Sequence, residues 1–183
     1  MKRLRCTLAA MAAAGLLLSA AAAAAEHLSS PALPGFVVGH EAANAEQSIR
    51  EEVPEGETVQ NWTRMVTTQW FAGTAQRTTP LEFLGTMVTN LRSVCPEASN
   101  SRIVSGTRGG RPLAQMRAFC PMFSRTGQPE AFMIIAIAGV DDLHVKQVAF
   151  RRLPTPEDIA WGEQVLAAVR YCPSGPGDES CAS

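Results

Sequence analysis

Apolar and polar residues alternate along several short segments of this chain, which is the pattern of half-buried β-strands. In residues 47–53, for example, Ile49 and Val53 alternate with charged residues. A near-continuous apolar run at 131–140 predicts instead a central strand that is covered on both faces. The complete set of predicted strands is 36–43, 47–53, 62–71, 102–106, 113–123, 131–140 and 145–152.

Two segments carry the start signals of helices. In each, a threonine precedes a proline and acidic residues follow within the first turn, at Thr79–Pro80 and at Thr155–Pro156. These residue types suit the N-cap and the first turn of a helix. Apolar residues then recur at helical spacing, and each stripe ends near a cysteine followed by a proline. The pattern predicts helices over 80–95 and 156–171.

The segment from residue 58 to residue 71 fits both periodicities. Its apolar residues recur at helical spacing, but its second half is rich in threonine, valine and aromatic residues, which favour strands. We expect a short helical turn or an irregular segment at 58–61, followed by the strand. Turn-forming residues predict hairpins at Asn44, at 107–110 and at Asp141–Asp142.

The predicted order of elements is β-β-β-α-β-β-β-β-α, which indicates an α+β fold. We expect an antiparallel β-sheet with two packed helices, because each helix has a single apolar stripe that must be covered. A single α+β domain would then occupy residues 35–173. An extended segment at 26–34 precedes it, and a flexible Gly/Pro/Ser-rich tail at 174–183 follows it.

Residues 1–25 have the features of a secretory signal peptide. Lys2, Arg3 and Arg5 form a basic start, and an uncharged run rich in Ala and Leu follows and ends in consecutive alanines. A membrane anchor is the alternative, but alanine is only weakly apolar. A lipoprotein would need a cysteine directly after this run, whereas Cys6 lies before it. The sequence therefore predicts a periplasmic or secreted protein with no membrane span after signal cleavage.

Removal of the signal peptide would change the balance of charge. Three of the 16 basic residues and none of the 17 acidic residues lie in residues 1–25, so 13 basic residues remain against 17 acidic ones. This acidic excess gives no general attraction to nucleic acid or to anionic membranes. Lys146 is the only lysine among the remaining basic residues.

Four cysteines follow the predicted signal peptide: Cys95, Cys120, Cys172 and Cys181. An even number in an exported chain indicates disulfides, for which three pairings exist. We favour Cys95–Cys120 and Cys172–Cys181, since the first would join a helix end to a strand and the second would join the tail to the last helix. Free buried thiols are the alternative. Zinc fits less well, because the chain has no C-x-x-C or H-x-x-x-H spacing, and we predict no metal site.

Arg108, Arg111 and Arg117, with Arg102 nearby, are candidate ligand-binding residues. Guanidinium groups bind carboxylate or phosphate in a bidentate manner, and Gly109–Gly110 can present backbone N–H groups to the same anion. The alternative is a plain hairpin turn in a chain whose usual basic residue is arginine.

Trp62 and Trp70 are candidates of another kind, since they and nearby phenylalanines could form an apolar pocket for a hydrophobic ligand. The alternative is that both pack in the core, because the chain has only eleven aromatic residues to fill it.

His144, beside Asp141 and Asp142, is the nearest arrangement to an acid–base cluster. A general base needs an orienting partner and a nucleophile within hydrogen-bond reach. The sequence places these three residues in a tight, exposed turn, and it contains no GxSxG motif. We therefore predict no catalytic residue and no cofactor, and we favour a non-enzymatic protein while leaving an enzyme open.

The order of elements over residues 36 to 172 resembles the PsbP-like fold, which is named for a lumenal subunit of the oxygen-evolving complex. The stretches LPGFVVGHEA and ETVQNWTRMVTTQ also resemble small uncharacterised exported proteins of Gram-negative bacteria. The resemblance implies a sheet between helices and a non-enzymatic binding or envelope-assembly module. Its partner would be an unknown protein or small-molecule ligand in the envelope. A periplasmic hydrolase or redox-active enzyme is the alternative function.

Overall fold

The computed structural model describes residues 25–173 and Cys181. The rest of the predicted signal peptide and of the predicted flexible tail lies outside the described residues. The helices are α1 (Pro80–Val94) and α2 (Pro156–Ala167), with a short 3-10 helix at Thr74–Gln76. The strands are β1 (His27–Ser29), β2 (Phe36–Ala43), β3 (Gln47–Pro54), β4 (Arg64–Phe71), β5 (Ser99–Asn100), β6 (Val104–Arg108), β7 (Arg111–Phe123), β8 (Gln128–Ala138), β9 (Leu143–Phe150) and β10 (Arg170–Cys172).

Most of the described strands form one antiparallel sheet. Its order is β2-β3-β4-β9-β8-β7-β5, and β6 also pairs with β7. β1 and β10 pair with each other as a separate two-stranded unit, which we call the ribbon. The α+β class and the antiparallel sheet with two helices are therefore as predicted, and β1, β5 and β10 are additional short strands.

The two faces of the sheet are covered by different helices. Successive residues of a strand point to opposite faces, and β9 shows the consequence. Val145 belongs to the buried cluster that contains Leu84 of α1, whereas Val148 belongs to the cluster that contains Leu166 of α2. Tyr171 of the ribbon packs against the second cluster. We call the two sides the α1 face and the α2 face, and the ribbon lies on the α2 face.

Both helices begin where the sequence predicts. The Thr79 hydroxyl accepts a hydrogen bond from the Glu82 N–H at 3.2 Å, and the Glu82 carboxylate accepts one from the Thr79 N–H at 2.9 Å. Thr155 and Asp158 repeat this capping box at α2. An N-cap of this kind stabilises a helix by about 1 kcal/mol. Of the helices in the described residues, none is long and apolar enough to cross a bilayer.

α2 is shorter than the sequence predicts. It ends at Ala167 instead of residue 171, and Arg170–Cys172 form a strand. The apolar pattern continues past the helix because Val169 is buried although it is not helical. The strand forms because it pairs with β1, which lies at the other end of the described chain. Local periodicity contains no information about such a pairing.

The connections follow turn chemistry. Residues 58–61 are irregular and not helical, since Thr58 and Asn61 exchange backbone hydrogen bonds of 3.0 and 3.1 Å across a turn. The predicted hairpin between β6 and β7 is confirmed. Gly109 and Gly110 have φ angles of 56° and 73° there, and two positive φ values are what a type I′ turn requires.

The favoured cysteine pairing is confirmed. Cys95 and Cys120 form one disulfide with a Cα–Cα distance of 6.0 Å, and Cys172 and Cys181 form the other at 5.7 Å. The first joins the end of α1 to β7, and the second joins the ribbon to Cys181.

Candidate functional site

One part of the α2 face is polar. Arg50 on β3 lies opposite Thr68 on β4, and Thr68 lies opposite Lys146 on β9. Cross-strand neighbours share a face of the sheet, so these three side chains form a row across three strands. Glu52 follows on the same face of β3, two residues after Arg50. We call these four residues the polar row.

Lys146 is the central group of the polar row. Its Nζ atom lies 2.7 Å from the Thr68 hydroxyl, 3.4 Å from the Ser30 hydroxyl and 3.8 Å from the Glu52 carboxylate. Its side chain is only 5% exposed, and lysine is seldom buried to this extent. Burial lowers the pKa of the Lys146 ammonium, although the Glu52 carboxylate acts in the opposite direction. A larger fraction of Lys146 is therefore the neutral amine at a given pH than in an ordinary, exposed lysine.

A cavity of about 810 Å³ opens over the polar row. Its other walls are the ribbon, the segment that follows β1 and the end of α2. The residues outside the polar row that line it are His27, Leu28, Ser29, Ser30, Pro31, Ala32, Ala167, Ala168 and Arg170. A cavity of this size is within the range of small-molecule sites in proteins.

The charged groups around this cavity are mostly basic. Arg50, Lys146 and Arg170 line it together with one acidic residue, Glu52, and Arg50 also pairs with Glu41 outside the lining at 3.4 Å. Glu52 lies 3.6 Å from Arg50 and 3.8 Å from Lys146, so it is shared between two cations. The balance favours a ligand with a carboxylate or phosphate group, which guanidinium and ammonium groups bind.

Glu26 fixes the ribbon beside this cavity. Its carboxylate accepts hydrogen bonds from the backbone N–H groups of Val140 and Asp142, both at 2.7 Å, and from the Tyr171 hydroxyl at 2.5 Å. Burial alone would raise the pKa of Glu26, but these hydrogen bonds outweigh it and hold the pKa below its usual value. Burial and the bond to Glu26 raise the pKa of Tyr171 to about 12. Both residues therefore keep the protonation states that this contact needs at neutral pH.

The position of His144 corrects the predicted exposed turn. His144 is the second residue of β9, its side chain is 2% exposed, and its Nε2 atom lies 3.8 Å from the Glu26 carboxylate. Burial lowers its pKa, although Glu26 and Asp142 act in the opposite direction. The Asp142 carboxylate accepts hydrogen bonds from the Trp70 indole and the Gly73 N–H, at 2.6 and 2.8 Å. The turn prediction holds for the aspartates, but His144 belongs to the buried strand.

The predicted arginines do not form a single group. Arg108 and Arg117 line a second cavity of about 550 Å³ together with Arg102. Arg108 donates to the Leu166 carbonyl oxygen at the end of α2, and Arg117 forms an ion pair with Glu163.

Arg111 lies elsewhere, because it donates to the Ala138 carbonyl at 2.9 Å and its guanidinium lies over the Tyr171 ring. Each of the three arginines named as ligand-binding thus has a contact within the protein, and ligand binding by them stays a prediction.

The two tryptophans are far apart. Trp62 precedes β4, is 6% exposed and packs in the cluster of the α1 face, with the Arg151 guanidinium 4.0 Å from its ring centre. Trp70 lies near the other end of β4 on the α2 face. The sheet lies between the two side chains, so they do not form the apolar pocket that the sequence suggested. Trp70 does line a small cavity of about 340 Å³ with Glu26, His27 and His144.

Sequence reasoning missed the polar row as a site. One signal for it was present: Lys146 is the only lysine after residue 25, and it shares a period-two face with Val148 and Phe150 of the same strand. A charged residue at an apolar position of a strand indicates a special environment. Nothing in the sequence placed Arg170 or Ser30 beside it, because the ribbon pairs two distant segments.

No group of three or more His, Cys, Asp or Glu side chains that could hold a metal ion occurs in residues 25–173 or at Cys181. No protein-family model matches the chain, and no curated protein sequence matches it. The resemblance to the PsbP-like fold therefore stays a prediction, and function has to be argued from the geometry of the site.

Proposed function

We propose that the protein is exported and acts as a non-enzymatic binding module in the periplasm or outside the cell. Its ligand would be a small molecule with a carboxylate or phosphate group, bound in the cavity over the polar row. The observation that carries this proposal is the excess of basic groups among the residues that line this cavity. Arg50, Lys146 and Arg170 line it with one acidic residue, Glu52, although Arg50 also lies 3.4 Å from the exposed carboxylate of Glu41.

Export is supported by the basic, then alanine- and leucine-rich start of the chain and by the two disulfides. Disulfides persist in oxidising compartments and are rare in the cytosol. A binding role is supported by the way the ribbon is fixed. Glu26, which precedes β1, binds the Tyr171 hydroxyl of β10 and the backbone N–H groups of Val140 and Asp142, so one wall of the cavity is formed before a ligand arrives.

One contact favours the alternative of a hydrolase. The Thr68 hydroxyl lies 2.7 Å from the Lys146 amine, and such a pair can activate a hydroxyl nucleophile. A hydrolase also needs free N–H donors for the developing oxyanion. β4 is paired on both sides, with β3 and with β9, so the backbone N–H groups near Thr68 are engaged in the sheet. Binding without turnover therefore agrees better with this geometry.

The test starts from the full chain expressed in a Gram-negative bacterium, with the protein purified from the periplasmic extract. Titration calorimetry then measures binding of succinate and of inorganic phosphate, with glycerol as the uncharged probe. We expect an acidic probe to bind and Arg170→Gln to weaken it roughly 10- to 100-fold, the value of one charge-assisted hydrogen bond. Arg125→Gln is the matched control, because Arg125 is an exposed arginine that does not line the cavity.

Retention of the protein in the cytoplasm would contradict export. Failure of every acidic probe to bind, or equal binding by the two arginine variants, would contradict the ligand site. That second result would favour an assembly role with a protein partner.

A further inference from the structure

The only lysine that follows the predicted signal peptide lies in an unusual place. Residues 26–183 contain twelve arginines and a single lysine, Lys146. In the described part of the chain none of these arginines is buried, whereas Lys146 is buried, with 4% of the whole residue exposed. The one basic side chain of this group that is buried is thus also the one that can lose its proton, because a guanidinium stays charged in proteins.

Binding of an anion does not by itself require a lysine. An arginine supplies more donors and a permanent charge for that purpose. A neutral amine is required when the nitrogen must act as a nucleophile towards a carbonyl group, which is the use of desolvated lysines in Schiff-base chemistry. The burial of Lys146 at an open cavity supplies both the desolvated amine and space for the reacting partner.

We propose that Lys146 captures small oxo acids, molecules with an aldehyde or ketone group next to a carboxylate, by reversible formation of an imine. This inference rests on the proposed function, because the same cavity holds the acidic part of the ligand. Arg50 and Arg170 bind the carboxylate, and the carbonyl carbon lies at the Lys146 amine.

The chemistry balances without any further reactant. The lone pair of the neutral Nζ atom attacks the carbonyl carbon, a C–N bond forms, and the oxygen takes up a proton to give a carbinolamine. Loss of that oxygen as water then leaves the imine. Glu52, 3.8 Å from Nζ, is placed to take the proton that the nitrogen loses and to return one to the departing oxygen. The net change is amine plus carbonyl to imine plus water, and hydrolysis reverses it.

Two neighbours favour reaction of the amine. The Thr68 hydroxyl oxygen accepts a hydrogen bond from Nζ at 2.7 Å, which positions the amine and leaves the lone pair of its neutral form free for the carbonyl carbon. Arg50, on the same face two strands away, repels a second positive charge. Glu52 acts against the repulsion by Arg50, because its carboxylate attracts the ammonium form. The same carboxylate lies close enough to exchange a proton with Nζ.

The experiment uses glyoxylate as the probe and sodium cyanoborohydride as the reductant at neutral pH, on the purified protein. Reduction converts an imine into a stable carboxymethyl-amine, which peptide mapping by mass spectrometry locates. The chain offers few competing amines: the N-terminal amine, and Lys2 if the signal peptide is retained. We expect saturable labelling at Lys146 that is faster in the folded protein than in urea, by about tenfold for each unit of pKa difference between the two states.

Lys146→Arg is the informative variant, because it keeps the positive charge and removes the nucleophile. We expect it to lose the label, whereas Arg125→Gln, which lies outside the cavity, should keep both the label and the binding of succinate. Labelling of the wild type that is confined to the N-terminal amine, or that is no faster in the folded protein than in urea, would overturn the inference. If succinate still binds in that case, the proposed binding function stands and only imine formation fails. Loss of binding of every acidic probe would instead remove the basis of both.

Discussion

The α2 face of the sheet has an apolar half and a polar half, although β4 and β9 contribute residues to both. Residues opposite one another form a line that runs from Thr68 through Lys146 to Ile135. Ile135 is completely buried and packs with Leu166 of α2. Lys146, one strand away, is nearly as buried but faces hydroxyl groups and the cavity instead of a helix.

The two halves differ in how closely the neighbouring elements pack on them, and therefore in how much they stabilise the fold. α2 covers the apolar half directly, so that half is close-packed. The ribbon covers the polar half at a distance that leaves a cavity of about 810 Å³. Packing of a buried ammonium and a carboxylate contributes little to net stability, because their desolvation offsets their attraction. This difference between the halves supports the proposal that the polar half binds a ligand.

The largest expected effect is a difference in stability between variants of two directly opposite residues, one in each half. Ile135→Ala should destabilise the protein by about 2–5 kcal/mol, because it removes buried methylene groups and leaves a cavity in the packed half. Lys146→Met should change stability by less than about 1.5 kcal/mol in either direction, since it removes a desolvated charge while Glu52 keeps Arg50 as a partner at 3.6 Å. Urea unfolding monitored by circular dichroism measures both. Equal losses in the two variants would show that the halves do not differ in this way.

The second prediction compares the two disulfides. The Cys95–Cys120 bond closes a loop of 25 residues beside the core of the α1 face, and the Cys172–Cys181 bond closes one of 9 residues at the ribbon. Chain-entropy estimates give about 3.5 and 2.6 kcal/mol for loops of these lengths. We expect the double variant Cys95→Ser/Cys120→Ser to lower the melting temperature more than Cys172→Ser/Cys181→Ser.

The ribbon disulfide should instead affect ligand binding, because Cys172 lies opposite His27 in the ribbon and His27 lines the cavity. Calorimetry with succinate on both double variants checks this second half of the prediction. A ribbon variant that binds as the wild type does, with a lower melting temperature than the Cys95/Cys120 variant, would reverse the comparison.

The smallest expected effect is a pH dependence that arises beside the polar half. His144 has a pKa below the 6.5 of an unfolded histidine because it is buried. The unfolded state therefore binds more protons in the window between the two values. The stabilisation is complete above pH 6.5 and is lost as the pH falls through that window, with a slope of at most about 1.4 kcal/mol per pH unit.

His144→Gln should flatten this slope when urea unfolding is repeated between pH 7.5 and 5. His40→Gln is the matched control, because it makes the same substitution at an exposed histidine on β2. A wild-type protein equally stable across this range would contradict the role of His144. Glu26 contributes in the same direction but at lower pH, since its pKa lies below 4.5.

Much of the fold followed from local patterns. The helix starts at Thr79 and Thr155 are set by capping residues a few positions apart, and the hairpin at Gly109–Gly110 is set by two residues that accept positive φ. The continuous apolar run of β8 indicated its central place in the sheet. Each of these signals acts within a few residues, which is why the sequence alone contains it.

The candidate site could not be predicted in the same way. The sequence by itself determined the α+β class, the even number of cysteines and the single lysine among many arginines. Only the tertiary structure decided that β1 pairs with β10, which ends α2 early and places Arg170 and Ser30 over Lys146. It also decided that His144 is buried against Glu26 instead of lying in a turn. These outcomes depend on contacts between residues more than a hundred positions apart, and the free energy of such contacts is absent from any local pattern along the chain.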